Sequence, residues 1–299
     1  MTMVPRSFQY YAPTSVEEAT ELLKEHAGDV KVLAGGMSLI PLMKLRLASP
    51  GFIVDINRVE GLDYISESSD GSALEIGSLA RHHALESSPL VRSRVPLLSE
   101  TARQIGDPQV RNMGTLGGAL AHSDPSGDIG ATMLALRATV IVAGPSQERR
   151  IPIDDFLVDT FTTALKEDEL ITRVSVPCPP AGRSGAAYVK LERKAGDFAT
   201  VGAAVQITTG EGDVCATAGI GLTAVGPKSL RARRAESILK GRPLTKASIL
   251  EASSEAAKEC SPANDPLRGS ADYKREMAGV FTRRALETAL KRRRTGVAL

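Results

Sequence analysis

Asn112-Met113-Gly114-Thr115-Leu116-Gly117-Gly118-Ala119-Leu120-Ala121-His122-Ser123-Asp124-Pro125-Ser126-Gly127-Asp128 is the stretch on which the fold is read. Gly114, Gly117 and Gly118 fall within five residues, and a polar turn follows. Glycine lets a backbone come close to a ligand and take angles that other residues avoid. Successive N–H groups in such a loop form a concave site for an anion. No Gly-Lys-Ser/Thr follows, which excludes a nucleotide P-loop. No Gly-x-Gly-x-x-Gly is present, which excludes the Rossmann fingerprint. A second glycine pair lies upstream in Leu33-Ala34-Gly35-Gly36-Met37-Ser38. Each pair follows an apolar run, so the two loops together suit one pyrophosphate held from two sides.

Upstream, Phe8–Pro13 reads as a short extended entry and Val16, Ala19, Leu22 and Leu23 as the apolar face of a helix stopped by Gly28. Ser15 and Glu18 have the spacing of a helix-starting capping box, as do Thr14 and Glu17. Val30–Ala34 reads as a strand, Leu39–Leu47 as a helix with Ser38 as its cap, and Phe52–Asp55 as another strand. These make a β-α-β-α-β unit. From Arg58 a second region begins, with a strand at Ala73–Gly77 and short helices over Leu79–Glu86, Pro89–Val91 and Pro96–Ile105.

Downstream of the glycine stretch, Asp128–Leu136 is apolar and helical in tendency. Thr139–Gly144 is a strand by its β-branched content, Arg149–Ile153 its hairpin partner, and Glu169–Val176 closes the region. Pro177–Gly182 reads as a linker. Beyond it, strand-like runs (Ala187–Glu192, Val201–Thr208, Val214–Val225) precede helical patterns (Ser229–Leu239, Thr245–Cys260, Ser270–Lys291), an α+β order. The expected division is an N-terminal domain over about 1–176, in parts of about 1–57 and 58–176, and a C-terminal domain over about 181–291.

The 299 residues carry 42% hydrophobic and 24% charged residues and a net charge of +2, which argues against a nucleic-acid binder. The one basic run, Lys291–Arg294, reads as a solvated helix end that complements the helix dipole. Cys178, Cys215 and Cys260 are far apart and form no Cys-x-x-Cys, so no metal or iron–sulfur site is visible. Three cysteines and an opening stretch, Met1–Phe8, without an apolar signal core lead us to expect a cytoplasmic protein. No stretch approaches the ~18 apolar residues of a membrane span.

Gly219-Ile220-Gly221 has the wrong spacing for a dinucleotide site, and a strand–turn ending in Val225-Gly226-Pro227 accounts for it. His82-His83 reads as a helix surface, while His122, inside the glycine stretch, is placed to line a site. Asp124 and Asp128 are either caps of the next helix or, for Asp128, a binder of ligand hydroxyls. No nucleophile–base set is legible, so no catalytic residue is assigned. This pattern fits a protein whose bound cofactor does the chemistry.

Four stretches together resemble the FAD-binding medium subunits of molybdenum hydroxylases, the family of carbon monoxide dehydrogenase and of the flavin domain of xanthine dehydrogenase. They are Ala34–Ser38 with Lys44-Leu45-Arg46; Ile105-Gly106 through Arg111-Asn112 into Gly114–Gly118; Arg193–Ala199; and Gly269–Arg275. The resemblance spans essentially the whole chain. It implies a two-part FAD-binding domain of the vanillyl-alcohol-oxidase (PCMH) type, then a C-terminal domain with a three-stranded antiparallel sheet and a helical bundle. It also implies that Ala34, Gly35, Gly36, Met37 and Ser38, and Thr115, Leu116, Gly117, Gly118 and Ala119, wrap the FAD diphosphate. Lys31, Ile105, Ile171 and Lys190 match flavin-contact positions, Asp128 the sugar-binding position, and Phe198 a place beside the isoalloxazine usually held by tyrosine. Met37 stands for a commonly polar residue and Asp107 for a frequent histidine.

The implied function is electron transfer inside a complex. A large molybdenum-cofactor subunit oxidises substrate, a small iron–sulfur (2Fe-2S) subunit relays electrons, and the FAD of this chain passes them to an external acceptor, in a dimer of heterotrimers. The alternatives are a stand-alone FAD-dependent reductase or oxidase on the same fold, and a non-catalytic assembly subunit.

Overall fold

The computed structural model describes residues 4–295; Met1–Met3, part of the opening stretch read for a signal core, lie outside the described residues. Three layers of sheet follow one another along the chain. The first is a parallel sheet of β1 (Gln9–Tyr11), β2 (Val30–Leu33) and β3 (Phe52–Asp55), in the order β1-β3-β2. Its helices are α1 (Val16–Glu25) and α2 (Leu39–Lys44). Ser15 caps α1 by accepting from the Glu18 amide, while the Glu18 carboxylate reaches the Thr14 amide at 2.9 Å. The expected β-α-β-α-β unit is therefore present. Helix α2 is shorter than the Leu39–Leu47 expectation, and Ser38 precedes it without a side-chain capping bond.

The second layer is an antiparallel sheet of β4 (Ile65–Glu67), β5 (Ala73–Gly77), β6 (Thr139–Ala143), β7 (Glu148–Pro152) and β10 (Leu170–Pro177), in the order β4-β5-β10-β6-β7. Between β5 and β6 run six helices: α3 (His82–Ser87), α4 (Pro89–Arg94), α5 (Pro96–Arg103), α6 (Pro108–Met113), α7 (Leu116–His122) and α8 (Asp128–Leu136). Proline stands in the first turn of α4, α5 and α6, where its missing N–H costs nothing. A short helix, α9 (Ile153–Phe156), and the hairpin of β8 (Leu157–Asp159) and β9 (Thr162–Thr163) lead back to β10.

The third layer is antiparallel too: β11 (Ser184–Leu191), β12 (Val201–Thr209), β13 (Cys215–Thr223) and a two-residue edge, β14 (Leu230–Arg231). The three long strands are those the sequence shows. The start of the expected Ser229–Leu239 helix is instead β14, and α10 is Arg233–Leu239. Helices α11 (Lys246–Glu259) and α12 (Ala271–Thr295) complete the described residues. Strand alternation splits this sheet into two faces. Ala187, Val205, Ile220 and Leu222 pack on the helices, while Ala186, Tyr188 and Ala204 join the core of the second layer.

Helix α8 lies in the seam. It is buried on nearly all sides, which its mostly apolar sequence permits. Gly219 and Gly221 of β13 face it: a Cβ there would stand 2.0 Å from the Ala135 carbonyl oxygen and 1.8 Å from that of Ala131. These glycines lie in the strand read over Val214–Val225, ahead of the Val225-Gly226-Pro227 turn, and serve close sheet-to-helix packing.

Candidate functional site

The two glycine segments meet. A Cβ on Gly35 would stand 2.1 Å from the Met113 carbonyl oxygen and 2.8 Å from the Gly114 Cα, so only glycine fits. Two side chains stitch the junction. Asn57 donates to the Ala34 carbonyl at 2.8 Å, and Arg81 donates to the Asn57 side-chain oxygen at 2.7 Å and to the Met113 carbonyl. Sequence reading missed Asn57 and Arg81, because neither sits in a motif and only the fold brings residues 34, 57, 81 and 113 together.

The second segment is not the loop expected. Asp107 caps α6 by accepting from the Val110 amide at 2.8 Å, and Thr115 caps α7 by accepting from the Gly118 amide at 3.0 Å. The signal was available, since Asp107-Pro108 is a cap followed by a first-turn proline. It also gives Asp107 a definite role in place of the family's histidine. Gly117 and Gly118 are helical, not left-handed. What requires Gly117 is Ser78, whose Cβ would lie 2.6 Å from an added Cβ.

The amides divide by function. In α7 those of Leu116 and Gly117 bond the carbonyls of Ala80 and Ser78, and that of Gly118 is committed to its cap. In the first loop the amides of Gly35, Gly36, Met37 and Ser38 have no acceptor among the described residues. A row of free N–H groups beside a glycine at φ 72° is suited to a phosphate. Lys31 is exposed on β2, three residues before this loop, and Met37 is 38% exposed at its rim.

A polar cluster sits under the seam. Asp128 is 7% exposed and belongs to the first turn of α8. Gly127, not an aspartate, is the cap position, and Asp124 instead accepts from the Ser126 amide at 2.8 Å. Lys190 donates to the Asp128 carboxylate at 3.0 Å and to the Gln104 carbonyl at 3.1 Å, and the Tyr188 hydroxyl donates to the other Asp128 oxygen. Burial pushes the Asp128 carboxyl above the usual carboxylate range, against the pull of the Lys190 ammonium and the Tyr188 hydroxyl. Burial and the nearby Asp128 charge raise the Tyr188 hydroxyl well above its ordinary value, so it stays a donor. Tyr188 was also missed; its signal was a strand position two before Lys190, on the same face.

The remaining residues are dispersed around these groups. Ile105 follows α5, half-buried, its carbonyl receiving Arg111 at 3.2 Å. Ile171 is 3% exposed, in the core beside a bulge of β10. Ala119 is half-buried in α7. Phe198 is 52% exposed on the β11–β12 turn. His122, half-buried at the end of α7, stacks at a tilt on Phe161, ring centres 5.0 Å apart. Burial lowers its pKa against the opposing Asp124 charge. His82 is not on a helix surface: it is 4% exposed and donates its amide to the Gly114 carbonyl at 3.0 Å.

Among the described residues no group of three His, Cys, Asp or Glu stands close enough to hold a metal, and no helix is long and apolar enough to cross a membrane.

Residues 6–179 match the family described as the FAD binding domain in molybdopterin dehydrogenase, and residues 186–289 match the CO dehydrogenase flavoprotein C-terminal domain. The carbon monoxide dehydrogenase medium chain of Hydrogenophaga pseudoflava is 44% identical over 97% of this chain and 99% of its own length. The 6-hydroxypseudooxynicotine dehydrogenase complex subunit alpha of Paenarthrobacter nicotinovorans is 39% identical over 98% and 97%. Among solved structures, carbon monoxide dehydrogenase from Hydrogenophaga pseudoflava superposes with a TM-score of 0.93 at 46% identity, covering 97% of this chain and 99% of that one. Quinoline 2-oxidoreductase from Pseudomonas putida 86 does so at 0.89 and 31% identity, covering 96% and 98%. Two domain matches and relatives covering nearly the full length thus show that the chain belongs to the flavoprotein-subunit family of the molybdenum hydroxylases, which are oxidoreductases.

Proposed function

We propose that this chain is the electron-transfer subunit of a molybdenum hydroxylase complex. It takes electrons from the iron–sulfur clusters of a small partner subunit and delivers them to an external acceptor, while a large molybdenum-cofactor subunit oxidises the substrate. The assembly we propose, from the family resemblance, is a dimer of heterotrimers in the cytoplasm. The observation that carries the reading is the row of unpaired amides from Gly35 to Ser38, clamped against Met113 and Gly114 by Asn57 and Arg81. That is a preformed seat for a diphosphate.

FAD, when bound, takes up and releases electrons singly or in pairs, which suits a junction between one-electron clusters and an acceptor. The protein's share is to bind, orient and shield. Gly35–Ser38 would donate their free amides to the diphosphate beside Ala34, and Lys31 would add positive charge. Thr115–Ala119 wall the seat, since the amides of Leu116, Gly117 and Gly118 are already committed. Asp128, Lys190 and Ile105 would lie toward the sugar and ring end, Ile171 would contribute backbone at the β10 bulge, and Phe198 would stand beside the ring system. We divide the chain into 1–176 and 181–291, which agrees with family matches ending at 179 and resuming at 186.

The substrate is set elsewhere in the complex: relatives at 44% and 39% identity belong to carbon monoxide and 6-hydroxypseudooxynicotine dehydrogenases. Mild purification from the native cells is expected to yield three chains and acid-releasable FAD. Full substrate turnover by the lone chain, or a folded chain that never takes up FAD in any context, refutes the proposal.

A further inference from the structure

We propose that the β11–β12 turn, residues 192–200, is a fixed cover on the flavin site, and that Gly196 and Asp197 are positioning residues that set where the Phe198 ring stands. The proposal rests on the placement of FAD beside Phe198 made above.

Two backbones from distant parts of the chain touch here. Gly196 has φ 79°, and a Cβ on it would stand 2.6 Å from the Gly106 carbonyl oxygen and 3.0 Å from the Gly106 carbonyl carbon. Neither that angle nor that gap admits a side chain. The turn is thus seated on the residue next to Ile105, and the same Gly106 carbonyl also accepts from Arg111 at 3.3 Å. Asp197 braces the turn. One of its carboxylate oxygens accepts from the Phe198 amide at 2.9 Å and lies 3.5 Å from the Arg268 guanidinium; the other lies 3.6 Å from Arg193.

Arg268 is itself fixed. Its amide donates to Asp265 at 2.9 Å, and Asp265 and Gly269 exchange backbone bonds at 3.0 and 2.9 Å. The Arg268 guanidinium lies 3.9 Å from the Asp265 carboxylate, and its Nε is buried. At the base, the Thr200 amide donates to Leu191 at 2.7 Å, and Ala199 and Thr200 are buried. Phe198 is the exception. Its backbone is pinned on both sides, yet its ring is half exposed. An apolar ring on a rigid arm is preorganised for a planar partner and loses little freedom when it meets one.

The test is iodide quenching of flavin fluorescence in the FAD-loaded protein as purified, with the variants Gly196→Ala, Asp197→Asn, Phe198→Ala and the double variant Gly196→Ala/Phe198→Ala. Gly196→Ala is expected to roughly double the quenching constant or more, and the double variant to match Phe198→Ala alone, because coupled residues are not additive. Asp197→Asn, which keeps the acceptor for the Phe198 amide and loses the charge contacts, is expected to shift it the same way by less. It also serves if Gly196→Ala does not fold. A changed Phe198→Ala protein with unchanged Gly196→Ala and Asp197→Asn proteins, or additive effects, overturns the positioning role while leaving the flavin site intact. An unchanged Phe198→Ala protein removes Phe198 from the flavin and the proposal with it.

Discussion

An uncharged imidazole lies beneath the second glycine segment. His82 is 4% exposed, its Nδ1 has no partner, and its ring would stand 2.8 Å from a Cβ on Gly114. Burial, then the charges of Arg111 and Arg81, hold its pKa down to about 4. The unfolded chain binds the proton near the ordinary value of about 6.5, so stability from this group is complete above that pH and is lost as the pH falls through the window to about 4. At ~1.4 kcal/mol per unit the loss is on the order of 3 kcal/mol. The urea midpoint is therefore expected to fall across this window in the parent and to fall less in His82→Gln. Parallel curves for the two proteins would show that His82 does not titrate on unfolding. The sequence pointed the wrong way here because adjacent helix residues lie ~100° apart. His83 does face water, and a pairing of Arg81 with Thr115, invisible in sequence, turns His82 inward.

The elements themselves were mostly legible, because their signals are local. Phe52–Asp55 and Ala73–Gly77 occur as read, and α11 falls within the helical pattern Thr245–Cys260, with Thr245 as its cap. What failed was what long-range contacts decide. The basic run at the end of α12 reads as a solvated charge cluster. In the fold Arg292 grips Glu100 of α5 with two bonds, at 2.8 and 3.0 Å, and donates to the Ala186 carbonyl at 2.8 Å. Arg293 and Arg294 both pair with Asp213, at 2.9 and 2.8 Å. Glu100 also accepts from the Tyr188 amide at 3.0 Å, so the last helix, α5 and the strand bearing Tyr188 and Lys190 share one carboxylate. Arg292→Ala is expected to lose about 2 kcal/mol, the scale of hydrogen bonds to a charged group. Arg292→Lys restores only part, because an ammonium cannot supply the planar fork. Chemical denaturation measures both, and a loss confined to the alanine variant would reduce the contact to simple charge.

At the scale of the molecule, the C-terminal sheet is shared property. One face packs on α10, α11 and α12, and the other, through Ala186, Tyr188 and Ala204, belongs to the core that contains α8. The small residues of β13 make this possible, and Gly221 is where the approach is tightest. An alanine there must drive its Cβ into the Ala131 carbonyl, which stands 1.8 Å away on a backbone that cannot rotate aside. Overpacking of this kind costs about 1–3 kcal/mol or more. Gly226→Ala is the control, since its Cβ meets only the Lys228 carbonyl at an ordinary 3.6 Å. Because α8 also carries Asp128 and meets Lys190 across the seam, the fold and the proposed flavin site are expected to be lost together. Secondary structure and flavin fluorescence should follow one urea transition, displaced to lower urea in Gly221→Ala and unmoved in Gly226→Ala. Two separate transitions would mean that the sheet and the flavin domain unfold as independent bodies, and that the seam joins them without coupling them.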